Sequence, residues 1–483
     1  MKMKKILTIC LPVLLGLSAC KKDLSGDNVD TKHASIVPAT SLFLAGQKNL
    51  SDYVSQPSGS NNLFRQFAQS WTGSTYTTEA RYVLSAYNSP NGWWNAMYSS
   101  ILNNLGNAKA LFPSTVSDAG LLKNDLIIAD IMEIYAYNML VTTYGNIPYS
   151  QAENRTIPFP KYDDAKTVYA DLLTRLDTCI AGLNTGAGSV GNVDQVYKGN
   201  PASWKKFAAT LKLKMAMLLA DTDPATASKK ALEAVATGVF TSNADNALFA
   251  YQASPTGNTN PIYQSIVLSG RHDFVPANLM LNTLQGWSDP RLPLYFTKAP
   301  DSTYKGGIPG GANSAGSLSG FSAQWIAATY PTDFLDYAET EFLLAEAVER
   351  GIAVGGTAAQ HYANAVTASI QFWGGSAGSA AAYLLQSSVA YATATGNYKQ
   401  KIGYQKWIAL ANRGWDAWTE IRRLGYPDIN NISAPIGAIT ALPLRFYYPT
   451  TEQTANSVNW AAAVKAMSGG TSDDVSTKLF WMP

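Results

Sequence analysis

Apolar positions along this chain recur mostly at spacings of three and four, the period of helices packed on one face. Leu121 to Tyr144 is apolar almost all round, broken by Asp130 and Glu133, with Gly145 where a C-terminal cap belongs. A helix apolar on every side is buried among other helices. Asp163 is placed to cap a second helix, whose stripe is Val168, Leu172, Leu176, Ile180 and Leu183. Asn200-Pro201 and Asp223-Pro224 each join a side-chain cap to a proline at the first helical position. They predict helices over about 201–220 and 224–237, the second ended by Gly238. Trp204, Phe207, Leu211, Met215 and Leu218 form the buried stripe of the first, with Lys205, Lys206 and Lys212 off it. Further helices are predicted up to Arg350-Gly351, over about 357–373, and from Lys401 to Leu424. Trp204, Trp407, Trp415 and Trp418 fall on these patterns and are assigned to the core.

Paired helices raise the question of repeats. Ala358, Tyr362 and Ala365 match the spacing of small, aromatic and small residues on the second helix of a tetratricopeptide unit. Leu343 and Ala347 lie on the helix before it, and Ala165, Tyr169 and Leu172 are a looser copy. Chance amphipathicity explains two matches equally well. The stretches 51–100, 238–330 and 374–400 are of another kind, rich in Gly, Pro, Asn, Ser and Thr with aromatics between. They read as long ordered loops and short strands hung on a helical scaffold, and loops of that length are usually functional.

The N-terminus changes the picture. Lys2, Lys4 and Lys5 precede an apolar run from Ile6 to Gly16, the layout of a secretory signal. That run is too short to span a bilayer, which takes about 20 apolar residues. Leu17-Ser18-Ala19-Cys20 resembles a bacterial lipobox, so residues 1–19 are expected to be removed and Cys20 acylated. Residues 20–40 then form a lipidated tether, and the acyl chains are the expected membrane attachment. Loss of 1–19 removes three lysines, leaving 33 Lys+Arg against 34 Asp+Glu. A chain so nearly neutral is a poor partner for nucleic acid.

With Cys10 removed and Cys20 acylated, Cys179 has no partner for a disulfide. Charged residues are 14%, well below the usual quarter. Uncharged polar and aromatic residues replace them, which suits a protein handling neutral, hydroxyl-rich ligands. His33, His272 and His361 show no metal-ligand spacing, and no cofactor is called for. Gly374-Gly375-Ser376-Ala377-Gly378 spells G-x-S-x-G, but a helix precedes it where a hydrolase elbow needs a strand. Gly186 to Gly191 spells G-x-G-x-x-G after a helix, without the strand of a dinucleotide site. Asp130 and Glu133, one helical turn apart, are the most suggestive carboxylate pair for a glycosidase. Buried acids held by ion pairs are the commoner meaning of such a pair.

Seven stretches, in order, resemble the SusD/RagB family of nutrient-binding outer-membrane lipoproteins, in its SusD-like branch. They are Tyr144 to Ser150, Trp204 to Met217, Asp289-Pro290-Arg291-Leu292, Glu341 to Gly351, Lys401 to Leu410, Trp415 to Pro427, and Pro443 to Phe446 with Tyr448-Pro449. The resemblance implies a mainly α fold over 41–483: a tetratricopeptide-like helical-pair scaffold with a loop-rich, irregular ligand-binding lobe. It also implies a surface-facing, lipid-anchored binder of the outer membrane, not an enzyme. Such a protein captures an oligosaccharide, or in some members a peptide, as a lid over a SusC-like TonB-dependent transporter. A surface glycoside hydrolase and a scaffold that binds only proteins are the competing classes.

No motif of that family carries ligand residues onto this chain, so the candidates come from chemistry. Tyr and Trp offer rigid flat area to the C–H face of a sugar, and Asn, Asp and Arg offer hydrogen bonds. The clusters are Trp71, Tyr76, Arg81 and Tyr82; Trp93, Trp94, Asn95 and Tyr98; and Arg271, His272 and Asp273, preceded by Asn260. Trp287 and Trp325 stand apart in the same lobe. Core packing competes with ligand contact at each, because Trp is buried on average.

Overall fold

A computed structural model describes residues 37–57, 62–255, 257–429 and 439–483. The signal, Cys20, His33 and most of the tether lie outside the described residues. Ala39 to Pro483 forms one compact unit.

The scaffold is built of antiparallel helix pairs. Ala39–Ser55 packs on Asn103–Thr115, and Ala119–Tyr144 on Ala165–Gly182. Pro201–Leu218 packs on Pro224–Thr237, Tyr337–Glu349 on Ala358–Phe372, and Tyr398–Ala409 on Gly414–Leu424. Asp118 starts the Ala119–Tyr144 helix by accepting from the N–H groups of Gly120 and Leu121, both at 2.8 Å. From Ile128 onward this helix is almost wholly buried, as its all-round apolarity requires. Asn200 and Asp223 cap their helices, with proline at the first helical position of each.

The tetratricopeptide-like spacing is realised in the Tyr337–Glu349 and Ala358–Phe372 pair. Ala358, Tyr362 and Ala365 are buried there, and the Tyr362 ring meets Phe342 edge-on at 6.2 Å. In the looser copy, the Tyr169 hydroxyl crosses to the Met215 carbonyl at 3.0 Å, tying one helix pair to the next.

Three expectations are corrected. Asp164, not Asp163, caps the Ala165–Gly182 helix, by accepting from the Thr167 N–H at 3.0 Å. Asp163 lies in a short strand and accepts from the N–H groups of Tyr149 and Ser150. The stretch 401–424 is two helices rather than one. It breaks before Gly414, where a Cβ would stand 2.4 Å from the Arg65 backbone nitrogen, so the close approach requires glycine. The stretches read as loops also hold helices, among them Ser89–Asn95, Asn278–Gly286 and Ala377–Leu384. Ser376, the serine of the hydrolase-like motif, caps the last of these by accepting from the Ser379 N–H at 3.0 Å.

Asp130 and Glu133 are held structurally. Lys109 reaches them at 2.6 and 2.7 Å and Arg175 at 2.5 and 3.1 Å, with Glu133 nearly inaccessible. Burial pushes the Glu133 carboxyl up to about 7.

Candidate functional site

Among the described residues the strands form three two-stranded ribbons, and one of them builds the site. Trp71–Gly73 pairs antiparallel with Phe274–Pro276, in the register Trp71 to Pro276, Thr72 to Val275 and Gly73 to Phe274. The pairing continues one step further, as the Ser74 N–H donates to the Asp273 carbonyl at 2.8 Å. Two clusters about 200 residues apart in sequence thus meet at one end of the ribbon. After Gly73 the chain turns so tightly that a Cβ there would lie 2.0 Å from the Tyr76 carbonyl oxygen. That turn swings Tyr76 out toward Arg271.

Arg271 donates to the Tyr76 hydroxyl at 2.6 Å and to Asp273 Oδ2 at 2.5 Å. Its guanidinium carbon is 5.3 Å from the ring centroid. The hydroxyl bond draws it toward that end of the ring. Tyr87 meets Tyr76 edge-on, with centroids 5.8 Å apart and planes at 81°. Tyr76 is 38% exposed and Tyr87 39%, so both rings can take a ligand. His272 and Arg271 are exposed and Asp273 is half-buried.

Supports surround the rings. Asn313 donates to the Gly73 carbonyl at 2.8 Å and accepts from the Ile308 N–H at 2.8 Å, seating the 308–313 loop beside the turn. Arg81 donates to the Gly310 carbonyl, so it braces the same loop. Ile308, 52% exposed, is carried on that loop. Glu79 is buried beneath, and its burial raises its carboxyl pKa. The arrangement offers rigid aromatic area, an arginine and a carboxylate. Such a surface can bind a hydroxyl-rich molecule.

Residues 31–449 match the family model of SusD-like proteins, described as starch-binding and associating with outer membrane. The chain belongs to the SusD-like family. Its fold is shared with solved structures over nearly their whole length. A chitin-binding protein is 27% identical, with TM-score 0.79 over 92% of this chain and 99% of that one. A SusD homologue from Bacteroides uniformis is 26% identical, with TM-score 0.77 over 92% and 99%. A chitin-binding SusD homologue from Flavobacterium johnsoniae is 24% identical, with TM-score 0.78 over 91% and 98%, a likeness of fold. No curated protein matches the chain by sequence.

The SusD-like scaffold absorbs the other aromatic candidates. Trp71, 1% exposed, packs on Phe321 at 4.5 Å, with Phe274, Trp325 and the Arg65 guanidinium around it. Trp325 is fully buried and donates its indole N–H to Asn412 at 3.0 Å. Tyr82 is buried edge-on to Phe67, and Trp93 edge-on to Phe64. Trp94 sits among Tyr98, Tyr144, Tyr162 and Tyr448. Tyr98 spends its hydroxyl on the Pro148 carbonyl at 2.7 Å. These rings pack into the core they share with the scaffold helices, Trp93 by way of Phe64 onto Trp418 and Trp94 directly onto Tyr144, with Tyr98 half-buried at its edge. Asn95 is exposed between buried neighbours, and Asn260 caps a short helix. Trp287 is half-buried elsewhere, against Tyr404.

Tyr87 and Ile308 belong to this candidate site and carry no signal in the sequence that singles them out. Tyr87 lies in a Ser- and Asn-rich turn without apolar periodicity, a lack that Tyr76 shares.

Proposed function

We propose that this protein is a surface glycan-binding lipoprotein, anchored in the outer membrane through Cys20, that binds an oligosaccharide at Tyr76, Tyr87, Arg271, His272 and Asp273. The observation that carries the reading is the exposed, edge-on tyrosine pair, held by an arginine that also engages a carboxylate. A sugar lays its C–H face on such a ring while its hydroxyls reach Arg271 and Asp273. The starch-binding description of the family and the chitin-binding relatives support a glycan over a peptide. The captured sugar passes to a SusC-like TonB-dependent transporter, over which the protein sits as a lid. It acts by binding, without catalysis.

Titration calorimetry against maltoheptaose and chitohexaose tests the site. Tyr76→Ala with Tyr87→Ala is expected to remove about 1–3 kcal/mol of affinity per stacking ring, by analogy with base–aromatic stacking. The melting temperature should hold, because both rings are exposed. Affinity for a neutral glycan should barely change with salt, which screens charges and not ring contact. A steep salt dependence would instead assign Arg271 and His272 to an acidic ligand or a peptide carboxylate.

The anchor has its own test. Cys20→Ala should abolish labelling by radioactive palmitate and release the protein into soluble fractions. Continued membrane attachment of that variant would refute the lipoprotein reading.

A further inference from the structure

A cavity of about 340 Å³ opens between the Asn278–Gly286 helix and the Tyr398–Ala409 helix. Its size is that of a small-molecule site, and it shares no lining residue with the Tyr76 site. Trp287 and Tyr404, both half-buried, meet there with ring centroids 5.4 Å apart and planes at 64°. Rings set at that angle form a corner, one presenting its face beside the edge of the other. Tyr404 is backed in turn by Trp407 and Tyr426, so the corner is stiff.

Asn282, Thr283, Gln400 and Lys401 stand around the rings, and among the described residues no carboxylate lines the cavity. Neither the Trp287 indole N–H nor the Tyr404 hydroxyl bonds another described residue, so both are available to a guest. Lys401 is fixed by donating to the Tyr391 carbonyl at 2.8 Å and by lying 5.2 Å from that ring. An ammonium has three N–H groups, so two remain. The chemistry selects a guest with an apolar face and several hydroxyl or carboxylate oxygens, and it disfavours a cation.

We propose that this cavity is a second carbohydrate site, taking one sugar ring of an oligosaccharide in the corner of Trp287 and Tyr404. It stands on its own geometry, independent of the reading of the Tyr76 site. Two sites on one chain would let a long polymer be held at two points, which multiplies apparent affinity when the polymer spans both.

Fluorine NMR of the full chain labelled with 5-fluorotryptophan reads the site directly, with Trp287→Phe assigning its resonance among the 12 tryptophans. The probes are maltoheptaose, chitohexaose and tetragalacturonate, with tetra-alanine as the peptide probe. The Trp287 resonance is expected to shift and saturate with a saccharide, and to do so equally in the Tyr76→Ala, Tyr87→Ala variant. Tyr404→Ala should weaken that response at least tenfold. If its melting temperature falls, Asn282→Ala at an exposed position replaces it as the test. A response to neutral saccharides assigns a neutral glycan, and one confined to tetragalacturonate assigns Lys401 to a uronate carboxylate. A silent Trp287 resonance with all three saccharides, or a response to tetra-alanine alone, overturns the proposal. If calorimetry still shows saccharide binding that Tyr76→Ala removes, only the second site has failed. If Trp287 responds and Tyr76→Ala changes nothing, the first site has failed and the second stands.

Discussion

Glu339→Gln is expected to destabilise the protein by about 3–5 kcal/mol, the usual consequence of breaking a buried ion pair from one side. The Glu339 side chain is fully buried. Its carboxylate faces Lys214 at 3.1 Å, Arg413 at 2.6 Å and Lys406 at 3.7 Å. These cations come from three different helices or their caps, so one carboxylate joins three parts of the scaffold. They hold its pKa well below the usual carboxylate range, against the opposing effect of burial. Glutamine keeps the shape and removes the charge, leaving the cations under-compensated. Urea unfolding should show a lower midpoint at unchanged slope. The pH dependence follows from the sign of the shift. A depressed carboxylate contributes fully above its unfolded value, about 4.3, and loses that contribution as pH falls through the folded value. The gap between wild type and variant should therefore be flat from pH 5 to about 8 and close below about pH 4. A loss under about 1 kcal/mol would mean that Asp416, Asp336 and Glu420 balance the cluster without it.

Trp71→Ala should cost a similar amount, about 3–5 kcal/mol, through the cavity left in the core. Its ring is in contact with Phe274, Phe321 and Trp325, and Trp325 in turn packs on Tyr295, Phe296 and Trp373. Removing it loosens a continuous aromatic core rather than one contact. Trp71 also begins the strand that leads into the turn bearing Tyr76, so glycan affinity should fall with stability. Tyr76→Ala provides the contrast, with affinity lost and the melting temperature kept. Were Trp71→Ala to melt like wild type while binding more weakly, the ring would belong to the ligand and not the core.

The stretches that resembled a known family are legible for a physical reason: they are where the scaffold is most constrained. Arg291 is buried against Asp289 at 2.6 Å, with Ser369 and Gln405 accepting from two more of its N–H groups. Arg423 reaches Glu346 and Glu420, and Arg445 reaches Asp473. A buried charge tolerates few partners, so such residues leave a pattern in one chain that can be recognised. Helix periodicity was legible for a related reason, since a buried stripe must repeat with the turn. Asn200, Asp223 and their prolines marked helix starts by local chemistry alone.

Which aromatic rings stayed in water was not a local matter. Trp71 and Tyr76 are five residues apart in similar polar surroundings, yet one is 1% exposed and the other 38%. The difference comes from pairing with Phe274–Pro276, which turns Trp71 inward onto Phe321 and leaves Tyr76 beyond the ribbon's end. Arg271 and Asp273 reach Tyr76 through that same long-range pairing. The amino-acid sequence by itself determined the buried helical stripes and the caps at Asn200 and Asp223, because neighbours within a turn or two carry that information. The tertiary structure alone decided which loop aromatics became core and which became surface, because only contacts between distant segments exclude water from one face of a ring.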